Sequence, residues 1–173
     1  RYIRRQRQMC IRDSPITEDG VITAGNASQI TDGAAAVLVC NDAGLKKVKA
    51  DPMVKVKAIS VVGDDPIYML TGPIPATHKV LNAAKMKIDE IGLYEVNEAF
   101  APVPLAWEIE VGADQEKLNV NGGAMALGHP LGATGAKLMT TLIYEMHRRD
   151  VKYGLQAICE GGGTANATIL EKI

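Results

Sequence analysis

The stretch NGGAMALGHPLGATGAKLMTTLIYEMHRR, residues 121–149, runs from a glycine-rich loop into the most clearly patterned helix of the chain. Met139, Leu142, Ile143 and Met146 recur at i, i+3, i+4 and i+7, the spacing that lines one face of an α-helix. His147, Arg148 and Arg149 close it, where cations meet the negative end of the helix dipole. Upstream, residues 34–40 are continuously apolar, as in a strand buried on both faces, and Asn41 or Asp42 caps the short polar helix that follows. Residues 54–59 predict another strand. Pro75 stands in the first turn of a helix whose apolar positions are Val80, Leu81 and Ala84. Residues 91–97 predict a strand, followed by a helix from about Glu98 towards Val111 that Pro104 kinks or delays. Two last strands, around 155–159 and 165–170, flank Glu160-Gly161-Gly162-Gly163-Thr164, the pattern of an antiparallel pair. Alternating strands and helices of this kind predict an α/β architecture.

Composition agrees. A chain of 173 residues, 47% hydrophobic and 23% charged, can build one sizeable core or two small ones. Aromatic residues make up only 4%, while Gly and Ala are plentiful, which favours closely packed α/β layers over an aromatic-rich sandwich. The net charge is −1, but residues 1–14 carry five Arg against Asp13, a local +4 that leaves about −5 for the remainder. A basic nucleic-acid footprint is thus confined to the tail, and no nucleic-acid partner is expected. Residues 1–14 read as a sequencing, assembly or fusion artefact and are set aside. Cys10, Cys40 and Cys159 are too few and scattered for a disulfide framework or a zinc set, which points to a reducing compartment. No run approaches the ~18 apolar residues of a membrane span. A bacterial cytoplasm is the expected home, with a mitochondrial or peroxisomal address open for the parent protein.

Three polar clusters sit at strand ends or in glycine-rich turns: Asn97-Glu98-Ala99-Phe100, Gly128-His129-Pro130 and Cys159-Glu160-Gly161-Gly162-Gly163. Glycines let a substrate approach the backbone and leave amides free to hold an oxyanion, while imidazole and thiol exchange protons near neutral pH. Taken alone, Cys159 ends an apolar strand and reads as a buried structural thiol; Cys40 reads as core packing, and His78 and His147 as solvated helix residues. His129, between Gly and Pro, has no apolar face to fill, so structural and functional roles compete evenly. Gly123 to Gly128 matches half of a phosphate loop, but His129-Pro130 replaces the required Lys-Ser or Lys-Thr, and no G-x-G-x-x-G follows a strand. Nucleotide folds find no support.

Together, and in this order, Asn97-Glu98-Ala99-Phe100, the glycine-rich run at 121–136 and Cys159-Glu160-Gly161-Gly162-Gly163 resemble the C-terminal signatures of the thiolase family. Thr23-Ala24-Gly25-Asn26-Ala27-Ser28, Asp32-Gly33-Ala34-Ala35-Ala36 and Thr71-Gly72-Pro73-Ile74-Pro75-Ala76 extend the likeness from about residue 15 to the end. It implies the C-terminal half of the thiolase fold, a mixed sheet with helices on both faces. Residues 15–52 would close the N-terminal half and residues 53–173 would form the C-terminal domain.

By that likeness His129 is the base that activates a nucleophilic cysteine and an oxyanion donor, and Asn97 holds a water in the same oxyanion hole. Cys159 is the acid/base at the acetyl-CoA methyl carbon, the Gly161 amide helps hold a second oxyanion, and Ser28 contacts the pantetheine arm of CoA, with Gln29 where many members have Gly. No metal takes part, no cofactor is bound, and CoA and acyl-CoA are substrates. A thiol with an ordinary pKa of about 8.5 is suited to this role if its neighbours lower it. The family's acyl-accepting cysteine belongs to the N-terminal half, and neither Cys10 nor Cys40 stands in its motif, so the chain alone is expected to be inactive and to expose apolar surface. The parent is expected to be a homo-oligomeric acetyl-CoA C-acyltransferase partnered by that half. The alternative is a thiolase-like acyl-CoA, lipid or sterol carrier without turnover.

Overall fold

The computed structural model describes residues 13–173. Cys10 and nearly all of the basic tail lie outside that range. Four strands form one mixed sheet in the order β1-β4-β3-β2, with β1 at Val54–Gly63, β2 at Leu93–Val96, β3 at Tyr153–Glu160 and β4 at Thr164–Lys172. The glycines between β3 and β4 make the expected antiparallel hairpin. Gly162 and Gly163 take φ of +79° and +81°, and a Cβ on Gly163 would lie 2.7 Å from the Asp64 carbonyl oxygen. That backbone conformation strains any L side chain. β1 adds to the far edge of β4, antiparallel, with an irregularity between Val56 and Ala58. β2 pairs with β3 in parallel, so residues 97–152 must cross over a sheet face to return.

Helices cover both faces. On one side, α2 (Pro73–Ala84) and α3 (Pro102–Val111) bury Val80 and Trp107 against Tyr94, Leu155, Ala167 and Ile169. The Trp107 and Tyr94 rings meet edge to face at 5.4 Å, and the indole N–H donates to Thr77 Oγ1 at 2.8 Å, so the most deeply buried aromatic leaves no donor unpaired. On the other side α5 (Thr134–Arg148) presents the stripe read from its sequence: Leu142, Ile143 and Met146 pack on Leu93 and Leu170, with Met139 at the margin. α5 comes so close to β3 that a Cβ on Gly154 would lie 2.6 Å from Met146 Sδ. A short helix α4 (Ala124–Leu127) precedes the His129 turn. No helix among the described residues is long and apolar enough to cross a membrane.

Two local expectations change. The apolar run 34–40 forms no strand, and Leu38 and Val39 are 72% and 74% exposed. An apolar segment becomes a strand only where neighbours complete its backbone hydrogen bonds, and among the described residues no strand lies beside it. α1 (Asp42–Val48) does follow, and the Asn41 side chain caps it by accepting from Gly44 N at 2.9 Å. The helix expected from Glu98 begins instead at Pro102. Pro102 occupies the first turn, whose amides have no intrahelical partner, and the preceding residues are free to form the loop of the site. Ile59 and Val61 of β1 are 60% and 61% exposed, in register with Thr168 and Asn166 on the α5 side of the sheet, beyond the reach of α5. The expected uncovered apolar surface is present there.

Candidate active site

Asn97 continues β2 by one residue, its amide donating to the Ala157 carbonyl at 3.0 Å. This brings its side chain to Cys159, the next-to-last residue of β3, and Nδ2 donates to Sγ at 3.9 Å. Asn97 is 1% exposed and Cys159 9%. Burial pushes the Cys159 thiol up; the Asn97 donor opposes this, and the Glu160 charge adds to it. The condition that its neighbours lower the thiol is therefore not met, because loss of solvation outweighs the hydrogen bonds that oppose it. At neutral pH the sulfur holds its proton.

Asn97 Oδ1 is buried without a protein donor. A water giving one O–H to this oxygen would keep the other for a developing oxyanion, which fits the role carried over to Asn97.

His129 follows Gly128, whose φ of +89° turns the chain out of α4. A Cβ on Gly128 would meet Thr31 Oγ1 at 2.6 Å. The imidazole is 8% exposed, and its Nδ1 lies 2.7 Å from Thr134 Oγ1. The Thr134 hydroxyl gives its one hydrogen to the Pro130 carbonyl at 3.0 Å. It can then only accept from the ring, which assigns the proton to Nδ1 and leaves Nε2 as a free base. Burial, and then the Lys137 charge, lower the His129 pKa and keep the ring neutral. Lys137 also donates to the Gly128 and Leu127 carbonyls at 2.7 and 3.3 Å, holding the turn that presents the ring.

Residues 26–30 join the two halves of this site. Ser28 donates through both N and Oγ to the Ala99 carbonyl, at 3.1 and 2.9 Å. Ala101 N donates to Asn26 O at 2.9 Å, and His129 N donates to Gln29 O at 2.8 Å. Ser28 therefore anchors the loop after Asn97, its oxygen keeping lone pairs for a ligand. His129 connects to the Asn97–Cys159 pair through this segment; among the described residues no hydrogen bond joins it to either directly. A groove of about 570 Å³ opens beside it between residues 31–35 and 130–133. Gly161 lies two residues beyond Cys159, in an exposed turn where an added Cβ would meet nothing, room enough for a substrate to approach the backbone.

Glu98 is a residue of this site to which motif reading gave no role. One carboxylate oxygen accepts from Asn119 Nδ2 at 2.8 Å and the other from Met125 N at 3.0 Å. The Asn119 side chain also brackets Val96, its Oδ1 accepting from Val96 N at 2.8 Å and its Nδ2 donating to Val96 O at 2.9 Å. Glu98 thus ties the Asn97 loop to the start of α4 and hence to the His129 turn. A carboxylate set among small residues in a loop was the available signal.

The family models "Thiolase, C-terminal domain" and "Thiolase, N-terminal domain" match residues 50–172 and 14–43. This chain belongs to the thiolase family. The steroid 3-ketoacyl-CoA thiolase FadA6 of Mycobacterium tuberculosis is 54% identical over 159 residues, covering 92% of this chain and 39% of that protein. An acetyl-CoA acetyltransferase of Allochromatium vinosum is 46% identical over 157 residues, covering 91% and 40%. Human mitochondrial 3-ketoacyl-CoA thiolase, solved in complex with CoA, superposes with a TM-score of 0.86 at 39% identity, covering 96% of this chain and 42% of that one. The chain thus spans about two fifths of the length of the relatives it matches.

Proposed function

We propose that this chain supplies the C-terminal part of an acetyl-CoA C-acyltransferase, which cleaves a 3-ketoacyl-CoA with CoA or runs the condensation in reverse. Residues 15–52 close the N-terminal half and 53–173 form the C-terminal domain. In thiolysis, His129 Nε2 takes the proton of a cysteine thiol contributed by the other half, and the thiolate attacks the C3 carbonyl. The resulting imidazolium and the water on Asn97 stabilise the tetrahedral alkoxide formed at C3. The C2–C3 bond then breaks, its electron pair leaves as the enolate of acetyl-CoA, and Cys159 S–H protonates it while the Gly161 amide holds the enolate oxygen. The Cys159 thiolate then takes the proton of the CoA thiol, the CoA sulfur attacks the acyl-enzyme carbonyl, and the enzyme cysteine leaves and recovers its proton from the His129 imidazolium. Ser28 contacts the pantetheine arm.

The observation that carries this reading is the His129 tautomer, since a ring protonated on Nδ1 and bare on Nε2 is a base ready for use. The buried, protonated Cys159 suits the acid step in the same way. A carrier without turnover has no chemical need for all of Asn97, His129 and Cys159. The parent is proposed to act as a homo-oligomer with CoA and acyl-CoA as its ligands. The test is loss of acetoacetyl-CoA in the presence of CoA, measured on this chain, on the complementary N-terminal half, and on the two mixed. Activity in the mixture alone is the expected result. Activity of this chain by itself would show that the nucleophile lies within it, and a folded but inactive mixture would remove the acyl-transfer reading.

A further inference from the structure

Among the described residues, three side-chain oxygens buried in the sheet region have no protein donor: Glu95 Oε2, Gln156 Oε1 and Asn97 Oδ1. Their residues are 1%, 2% and 1% exposed. The fold sets the first two side by side. Glu95 and Gln156 are register partners across the parallel pair of β2 and β3, so their side chains rise from the same face with Cβ atoms about 5 Å apart. Asn97 stands one residue past the end of β2, its side chain turned to Cys159.

An ionised carboxylate only accepts hydrogen bonds, and so does an amide oxygen. Gln156 cannot turn its amide to help, because Nε2 already donates to the Gly135 carbonyl at 3.2 Å. One proton on Glu95 would supply both oxygens. The net influence of the surroundings on Glu95 acts in the same sense. Burial is the largest influence, Glu98 in the loop after β2 and Glu145 on α5 add to it, and Lys137 on α5 opposes; together they push the carboxyl up to about 8. From β3 and β4 the neighbours on this face are the neutral Gln156 and Thr168, which are register partners of each other.

We propose that Glu95 is a positioning residue held as the neutral acid, its O–H donating to Gln156 Oε1 and so locking together the ends of β2 and β3 that present Asn97 and Cys159. The lock extends to His129, since Gly135, the acceptor for Gln156, adjoins Thr134, the acceptor for the imidazole. Its consequence for catalysis rests on the acyl-transfer reading; the buried proton does not.

Infrared spectroscopy of this chain tests the proton. A protonated-carboxyl stretch is expected at pH 6 in the native protein, absent from Glu95→Gln and lost in the native protein with a midpoint near pH 8. Glu95→Gln keeps a donor facing Gln156 and should retain the native near-ultraviolet dichroism. Between pH 4.5 and about 8 the folded native protein holds a proton that the unfolded chain has released. Its unfolding constant, relative to that of Glu95→Gln, should therefore rise about tenfold per pH unit there. A spectrum without the band, or identical pH dependence in the two proteins, overturns the proposal and leaves a carboxylate solvated by buried water. In the full-length enzyme, Glu95→Gln should keep kcat near native while Glu95→Leu loses it with KM for CoA unchanged; equal loss in both would overturn the positioning role. A parent without thiolysis whose Glu95 band is present would end the acyl-transfer reading and leave the proton standing.

Discussion

The side-chain amide of Asn97 donates to the sulfur of Cys159 at 3.9 Å, joining residues 62 positions apart at the ends of two neighbouring strands. Burial raises the thiol and this contact opposes it. Replacing Asn97 with Leu, of similar size but without a donor, should raise the thiol further and slow its alkylation at pH 8 by roughly threefold to tenfold, the effect of about 1 kcal/mol. Alkylation rates across pH would show it. An unchanged profile would mean that the amide does not act on the sulfur.

Glu98 should matter more to stability than its position in a loop suggests. Glu98→Ala removes the acceptor for Met125 N and one acceptor for Asn119, and urea unfolding should report a loss of about 2–3 kcal/mol. A Cβ on Gly123 would lie 2.4 Å from the Glu98 carboxyl carbon, so Gly123→Ala should displace the same carboxylate. The double variant is expected to lose clearly less than the sum of the two. Simple additivity would separate the two sites.

Lys137→Met should raise the pH at which His129 titrates, read from its ring-proton shifts by NMR. The lysine charge is the second influence lowering that pKa, after burial. His129 takes up its proton less readily folded than unfolded, so its contribution to stability is complete above the ordinary value of 6.5 and is lost as pH falls through the lower folded value. Lys137→Met should flatten this acid limb. A midpoint unmoved by the substitution would assign the depression to burial alone.

Glu145 should govern a second, more acidic limb. The side chain of Arg148 is the largest influence on it, with Asn121 and Arg149 assisting and burial opposing, and its carboxyl is drawn down to about 2. Arg148 Nε meets one oxygen at 2.8 Å, and Arg149 Nε meets the other. A depressed carboxylate contributes stability above its unfolded value of 4.5 that is lost as pH falls towards 2. Glu145→Gln should cost roughly 1–2 kcal/mol at pH 7, since water around Arg148 weakens the pair, and should remove the sensitivity in that window. Denaturant midpoints of the two proteins at pH 7 and pH 3 give the comparison. An equal difference at both would rule out Glu145 as the source.

Features with a local cause were legible in the residues themselves. The α5 stripe follows from helical periodicity, and Leu142 and Met146 are buried as it requires. The Asn41 cap and the glycine turn between β3 and β4 depend on side-chain reach and on backbone freedom within a few residues. Residues 34–40 failed the same kind of reading because a strand is completed by its neighbours. Glu98 was overlooked because its partners, Asn119 and Met125, lie more than 20 positions away.

The sequence by itself determined the family, through short motifs whose order and residue types are specific, and with it Asn97, His129, Cys159, Gly161 and Ser28 as the candidate site. Only the tertiary structure decided what state those groups are in. Protonation depends on burial and on donors brought from distant segments: Thr134 and Pro130 orient the His129 ring, burial holds the proton on Cys159, and the pairing of β2 with β3 sets Glu95 beside Gln156. Solvent exclusion and through-space charge act over a few ångströms between residues far apart along the chain, and that distance is set by the fold.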